Sequence, residues 1–194
     1  MLALSPLSPL RTDGIAFGRG PRPAAFHPYE SARPVTKFLL TVHILFAILA
    51  IGPVAVAASM FPPTARRALA DPTDAQALAP VRLLHRICRV YAAVGVAVPV
   101  FGFATAKNMG ILGDTWIIVS IVLTTVAAGA LIALVLPRQD AILTELEATA
   151  TGGPETATDV RRTVQLAMFT GVFNLLWAVV TVLMILRPGS TTGG

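Results

Sequence analysis

The chain has 194 residues, 55% hydrophobic and 13% charged, with a net charge of +5. A soluble domain is about a quarter charged, so too few polar residues remain here to clothe a water-facing surface. The basic residues gather at the ends of apolar segments and are not interleaved with aromatics, which argues against a nucleic-acid surface.

Four stretches free of Asp, Glu, Lys and Arg account for this composition: residues 38–61, 90–106, 115–136 and 163–186. A bilayer crossing needs roughly 20 such residues. The sequence therefore predicts an all-α, polytopic membrane protein, a bundle of four transmembrane helices within residues 35–190.

Residues 1–34 carry six Pro and three Gly and read as a disordered N-terminal tail. Pro6 and Pro9 break the only early apolar run, so it does not resemble a signal peptide. Val35 stands just before the first crossing, and a native start there, leaving the tail untranslated, is an expectation. The first crossing, 38–61, contains His43, Gly52 and Pro53; the proline frees the Leu49 carbonyl and predicts a kink. Pro62-Pro63 then reads as a helix stop, with Arg66-Arg67 beyond it.

Thr73 or Asp74 can cap the next helix, which starts in water and enters the membrane near Ile87, so the second crossing spans 87–106. Arg82, Arg86 and Arg89 recur at helical spacing, three cations on one face just before its apolar core. With His85 and Arg138 they are expected to form a belt on anionic lipid headgroups, a specific anionic ligand being the sharper alternative. Gly95, Pro99 and Gly102 lie inside this crossing. Loop two, 107–114, predicts a tight hairpin. The third crossing, 115–136, places Thr125, Gly129 and Ala133 four apart as a small-residue stripe for close helix packing. Loop three, 137–162, begins amphipathically, with Ile142, Leu143 and Leu146 set against Asp140, Glu145 and Glu147. The fourth crossing, 163–186, puts Asn174 near mid-bilayer as interhelical glue and ends at Arg187-Pro188-Gly189. Residues 191–194 read as a flexible end.

Four crossings put both termini on one side. Near the membrane, Arg66, Arg67, Arg82, Arg86, Arg89, Arg138, Arg161 and Arg162 outweigh Arg33, Lys37, Lys107 and Arg187. The positive-inside rule then sets loops one and three in the cytoplasm and both termini outside, in a bacterial plasma membrane.

An ionisable residue inside a crossing is costly and marks a functional candidate. His43 is the one clear case. His43 and His85 each lie near the start of consecutive antiparallel helices, hence in opposite leaflets of a core about 30 Å thick, and one haem cannot bridge them. The ends of the other crossings give His43 a set of expected neighbours: Asp114, Lys107, Asn108, Trp116 and Arg187. An Asp beside the histidine would orient its ring and raise its pKa. The plainer alternative is that His43 bonds a backbone carbonyl or hydroxyl and fixes helix packing. Cys88, the single cysteine, excludes an internal disulfide. No phosphate loop, nucleophile elbow, zinc-protease motif or paired-cysteine motif occurs.

The opening Lys37-Phe-Leu-Leu-Thr-Val-His43, the following Ala50-Ile-Gly-Pro53, Gly113-Asp-Thr-Trp116 and the ending Leu186-Arg-Pro-Gly189 resemble a family of predicted bacterial integral membrane proteins abundant in actinobacteria. That family is a domain of unknown function, and the resemblance implies four membrane helices. A distant likeness to copper-resistance protein D and the HemJ-type protoporphyrinogen oxidases rests on His43 alone. Their following Trp is absent here, and of their glycines only Gly52 remains.

The leading expectation is a small, non-catalytic accessory or scaffold subunit without a cofactor, packing on a second copy or a larger membrane complex. The alternative is a protein that binds haem, porphyrin or a copper ion through His43; a small dimeric transporter is a third.

Overall fold

The computed structural model of the protein describes residues 28–71, 74–152 and 160–189. Thr73, residues 1–27 of the expected tail and the 191–194 end lie outside these. The described residues form helices and turns without strands: α1 (Pro28–Ala70), α2 (Ala75–Gly95), α3 (Ala97–Met109), α4 (Thr115–Ala130), a π-helical segment (Leu131–Val135), α5 (Leu136–Ala150) and α6 (Val160–Leu186). Four stretches are long and apolar enough to cross a membrane: Pro34–Ala70, Gln76–Met109, Thr115–Ala150 and Arg161–Leu186. Leu175 and Ile185, 65% and 73% exposed, turn outward as lipid-facing side chains do.

The helices outrun the predicted crossings. The first span has 37 residues, about 55 Å at 1.5 Å per residue, against an apolar core of about 30 Å. Helix already begins at Pro28, where the sequence reads as tail, and proline suits a first helical turn. Pro62-Pro63 does not stop it either. Ala57, Ala58, Phe61, Ala65 and Ala68 recur at three- and four-residue spacing and are all buried in the main core. That continuous apolar face, joined by the buried Pro62, carries the helix past the two N–H groups the prolines remove. Asp74 caps α2, its carboxylate accepting from the Gln76 N–H at 2.8 Å.

The second span breaks at Gly95, four residues before Pro99. α2 ends at Gly95, Val96 makes a 3.2 Å turn bond to the Ala93 carbonyl, and α3 resumes at Ala97. Pro99 cannot supply the N–H that would bond the Gly95 carbonyl. The third span carries a π-helical turn immediately before Pro137, which likewise lacks a donor, and the Leu136 N–H reaches back to Leu131. α5, the expected amphipathic part of loop three, buries Gln139, Ile142 and Leu146.

The main core joins α1, α2, the end of α4, α5 and the first half of α6 through Phe61, Val81, Val135, Ile142 and Leu166. Two ion pairs close this end: Arg82 to Glu147 at 2.6 Å, and Arg162 to Glu145. The opposite end is looser. There α3 packs on α1, with Phe46 and Phe101 stacked at 5.3 Å, and α4 packs on α6, while α3 scarcely touches α4. The bundle is closed at the end of loops one and three and splayed into two helix pairs at the other.

Candidate functional site

The splay opens a cavity of about 780 Å³ between the α1–α3 pair and the α4–α6 pair. Its walls are mostly aliphatic: Ile44, Ile48, Val98, Ile117, Ile121 and Val180. A smaller cavity of about 130 Å³ lies deeper, at the α2–α3 break, and shares Ile51, Pro99, Thr124 and Trp177 with it.

His43 lines the large cavity from α1. Its Nδ1 lies 2.9 Å from the Val98 carbonyl on α3. A carbonyl only accepts, so Nδ1 carries a proton and donates in this contact. The ring rests on Gly102: a Cβ there would stand 2.8 Å from Cε1 and 3.1 Å from Nδ1. Helix α3 ends below at Gly110, whose φ of 72° is a left-handed cap that glycine adopts freely.

Of the five neighbours expected for His43, Trp116 and Arg187 line the same cavity; Asp114, Lys107 and Asn108 do not. Asp114 is not the partner that orients the imidazole. Its Oδ2 accepts from Trp116 Nε1 at 3.2 Å, while the Val98 carbonyl and Gly102 set the ring. Asn108 Oδ1 accepts from Thr36 Oγ1 at 3.0 Å near the end of the α1–α3 pair, and Lys107 is exposed in the last turn of α3. Arg187 follows α6 with a φ of 44°, and its guanidinium lies 5.8 Å from the centroid of the Trp116 ring.

At the closed end the expected lipid belt needs correction. His85 is 6% exposed and faces inward; at 100° per residue it stands at the edge of the arc occupied by Arg82, Arg86 and Arg89. Its Nδ1 lies 3.4 Å from Gln139 Oε1 and its Nε2 3.4 Å from Asp140 Oδ1, both long for hydrogen bonds. Gln139, fully buried, donates to Cys88 Sγ at 3.6 Å. Arg82 pairs with Glu147. Arg138 donates to the Leu134 carbonyl at 2.9 Å and sits 4.4 Å over the Phe169 ring. Of the expected belt, Arg86 and Arg89 keep the outward exposure that such a belt needs.

The small-residue stripe is also corrected. Trp116, Ile117, Ser120 and Ala127 are the buried positions of α4, and Gly129, nine residues beyond Ser120, falls on the opposite face. Thr125 borders the cavity, Gly129 and Ala133 point outward, and a Cβ on Gly129 would meet nothing within 4 Å. Asn174 does bridge helices: its Nδ2 donates to Ser59 Oγ on α1 at 3.0 Å.

Among the described residues no three His, Cys, Asp or Glu side chains are grouped to hold a metal ion. His43 Nε2 would be a single ligand. Sequence reasoning missed Gly102 as a seat and Gln139 as a buried polar centre; the only signal for Gly102 was its place three residues after the helix-breaking Pro99.

Fold and site define a four-span, all-α membrane protein with a mostly apolar cavity between two helix pairs. The chain belongs to the family described as predicted integral membrane protein (DUF2269), whose model matches residues 37–188 and so takes in the cavity and the closed core. No curated protein and no solved structure matches the chain significantly.

Proposed function

We propose that this is a non-catalytic membrane protein that binds a small amphipathic molecule within one half of the bundle. The cavity carries the reading. Its volume of about 780 Å³ falls in the range of small-molecule sites, which are mostly apolar with a few convergent polar groups. Here those groups are His43, Trp116 and Arg187. His43 is the only lining residue with ordinary acid–base chemistry, and a lone imidazole without a charged or nucleophilic partner suits recognition better than catalysis. The accessory or scaffold role supplies a context: the outward face of the third span at Gly129 and Ala133 is available to a second copy or a larger complex. We place the protein in a bacterial plasma membrane with both termini outside, on the weight of arginines at loops one and three.

Native mass spectrometry from nanodiscs tests the binding. The wild type should carry a one-to-one small-molecule adduct lighter than a phospholipid. Ala47→Phe, which fills the cavity from α1, should lose it. Identical adduct patterns for the two proteins would overturn the reading.

One observation favours a second reading, haem, porphyrin or copper on His43. A histidine that ligates a metal commonly donates its other ring nitrogen to a carbonyl or carboxylate, as His43 Nδ1 does to Val98. A Soret band that shifts with dithionite and vanishes in His43→Ala would put haem first. A flat visible spectrum from a protein that carries the adduct keeps the amphiphile first.

A further inference from the structure

We propose that the occupant of the cavity is a single-chain anionic amphiphile, an acyl carboxylate by chemical class, whose head group pairs with Arg187; this rests on the binding reading above. Charge is the first argument. Among the described residues lining the cavity, Arg187 alone carries a permanent charge, and none is Asp or Glu. An arginine in an apolar surround is stabilised by a fork of hydrogen bonds to a carboxylate or phosphate, yet Arg187 has no carboxylate within ion-pair distance among the described residues. Asp114, an acidic residue of this end, is engaged with the Trp116 indole. The guanidinium instead lies 5.8 Å from the Trp116 centroid. That is within reach of a cation–π contact, which leaves the N–H donors unspent.

Backbone geometry is the second argument. Helices usually end on a glycine when the chain turns left-handed, because a side chain there crowds the following carbonyl. Here Arg187 takes φ 44° itself, with its N–H closing on the Leu183 carbonyl at 3.0 Å. The turn sets the guanidinium at the cavity wall, beside Trp116.

Size selects the class. About 780 Å³ holds roughly 25 groups at about 30 Å³, the share of one water. That is the scale of one acyl chain with its head; a two-chain phospholipid exceeds it. The aliphatic walls from Ile44 and Ile48 to Ile121 and Val180 suit a methylene chain. Arg187, at the end of α6, lies where a head group would meet water.

The chain has two tryptophans, Trp116 and Trp177, and both line the cavity. Intrinsic fluorescence therefore reads occupancy directly. The full chain in nanodiscs is titrated with dibrominated stearic acid, with its methyl ester, and with a phosphatidylcholine carrying the same brominated chain. Saturable quenching by the acid is expected, with at most weak, unsaturating quenching by the ester and the phospholipid. Arg187→Gln should raise the half-saturating mole fraction of the acid about tenfold or more, the worth of a hydrogen bond to a charged group, while Arg187→Lys should retain most of the affinity. Equal saturation by acid and ester would overturn the anionic assignment and leave the binding reading standing. Saturation by the phospholipid at the same mole fraction would assign the groove to bilayer lipid and overturn the single-chain class. No saturable quenching by any of the three would end both readings. Should Arg187→Gln fail to fold, the acid–ester comparison on the wild type decides.

Discussion

Replacing Gly102 with valine is expected to cost about 2–4 kcal/mol and to unseat His43. The new Cβ would stand 2.8 Å from the imidazole Cε1 and 3.1 Å from Nδ1. Overpacking of this kind costs about 1–3 kcal/mol, and loss of the Nδ1 bond to the Val98 carbonyl adds about 1 kcal/mol. Gly102→Ala is the sharper test because helix propensity works against the clash. In an open helix, alanine for glycine stabilises by about 0.5–1 kcal/mol, so any destabilisation at Gly102 must come from the ring. Removing the ring should reverse the sign. In a His43→Ala background, Gly102→Ala should become neutral or stabilising, with a coupling of about 1–3 kcal/mol between the two sites. Unfolding by SDS titration in mixed micelles measures all four proteins. A stabilising Gly102→Ala in the wild-type background would show that the seat is slack and that His43 is positioned by something else.

The crossings were legible because bilayer thickness leaves a long, charge-free imprint. The α2–α3 break was not, since the sequence places Gly95 and Pro99 inside that crossing without fixing a break, while Pro53, where a kink is expected, lies within the one helix α1. The helix ends were less legible than the crossings. Pro62-Pro63 reads locally as a stop, but the buried run Phe61, Ala65 and Ala68 continues the helix by packing on α2, a tertiary effect that overrides the local signal. The stripe of Thr125, Gly129 and Ala133 illustrates the same limit. Four-residue spacing establishes that three residues share a face; it does not say which way that face turns, and here Trp116 and Leu131 on the other side win the core.

The site was legible by leaflet and not by contact. Antiparallel bookkeeping brought His43, Trp116 and Arg187 to one end of the bundle, and all three line one cavity. It could not assign the hydrogen bonds. Asp114 serves Trp116, and the partner of His43 is a backbone carbonyl, a group every residue carries and no pattern singles out. Gly102 was hidden for a related reason. Its meaning depends on which side chain of a neighbouring helix comes to rest on it.

At the closed end, Gln139→Leu is expected to destabilise the protein by about 2–3 kcal/mol, and more than His85→Leu/Gln139→Leu together. Gln139 is fully buried between α2 and α5, with its Oε1 toward His85 Nδ1 and its Nε2 donating to Cys88 Sγ. Leucine fills similar space and gains apolar burial, but it leaves the His85 Nδ1 facing no acceptor, and a stranded buried polar group costs about 1–3 kcal/mol. Lost packing around a branched side chain in a close-fitted site adds to this. The cluster's own contribution is modest, since its separations of 3.4 and 3.6 Å are long. Taking away both partners therefore removes little and relieves the desolvation of both, so the double variant should recover at least half of the single variant's loss. His85→Leu alone should fall between them, because the Gln139 amide still has the Cys88 sulfur as an acceptor. Thermal unfolding in one detergent orders the three variants. If the double variant is the least stable, the polar cluster is itself a major tie between α2 and α5, and the apolar contacts of Val81 and Ile142 beside it hold less than their burial implies.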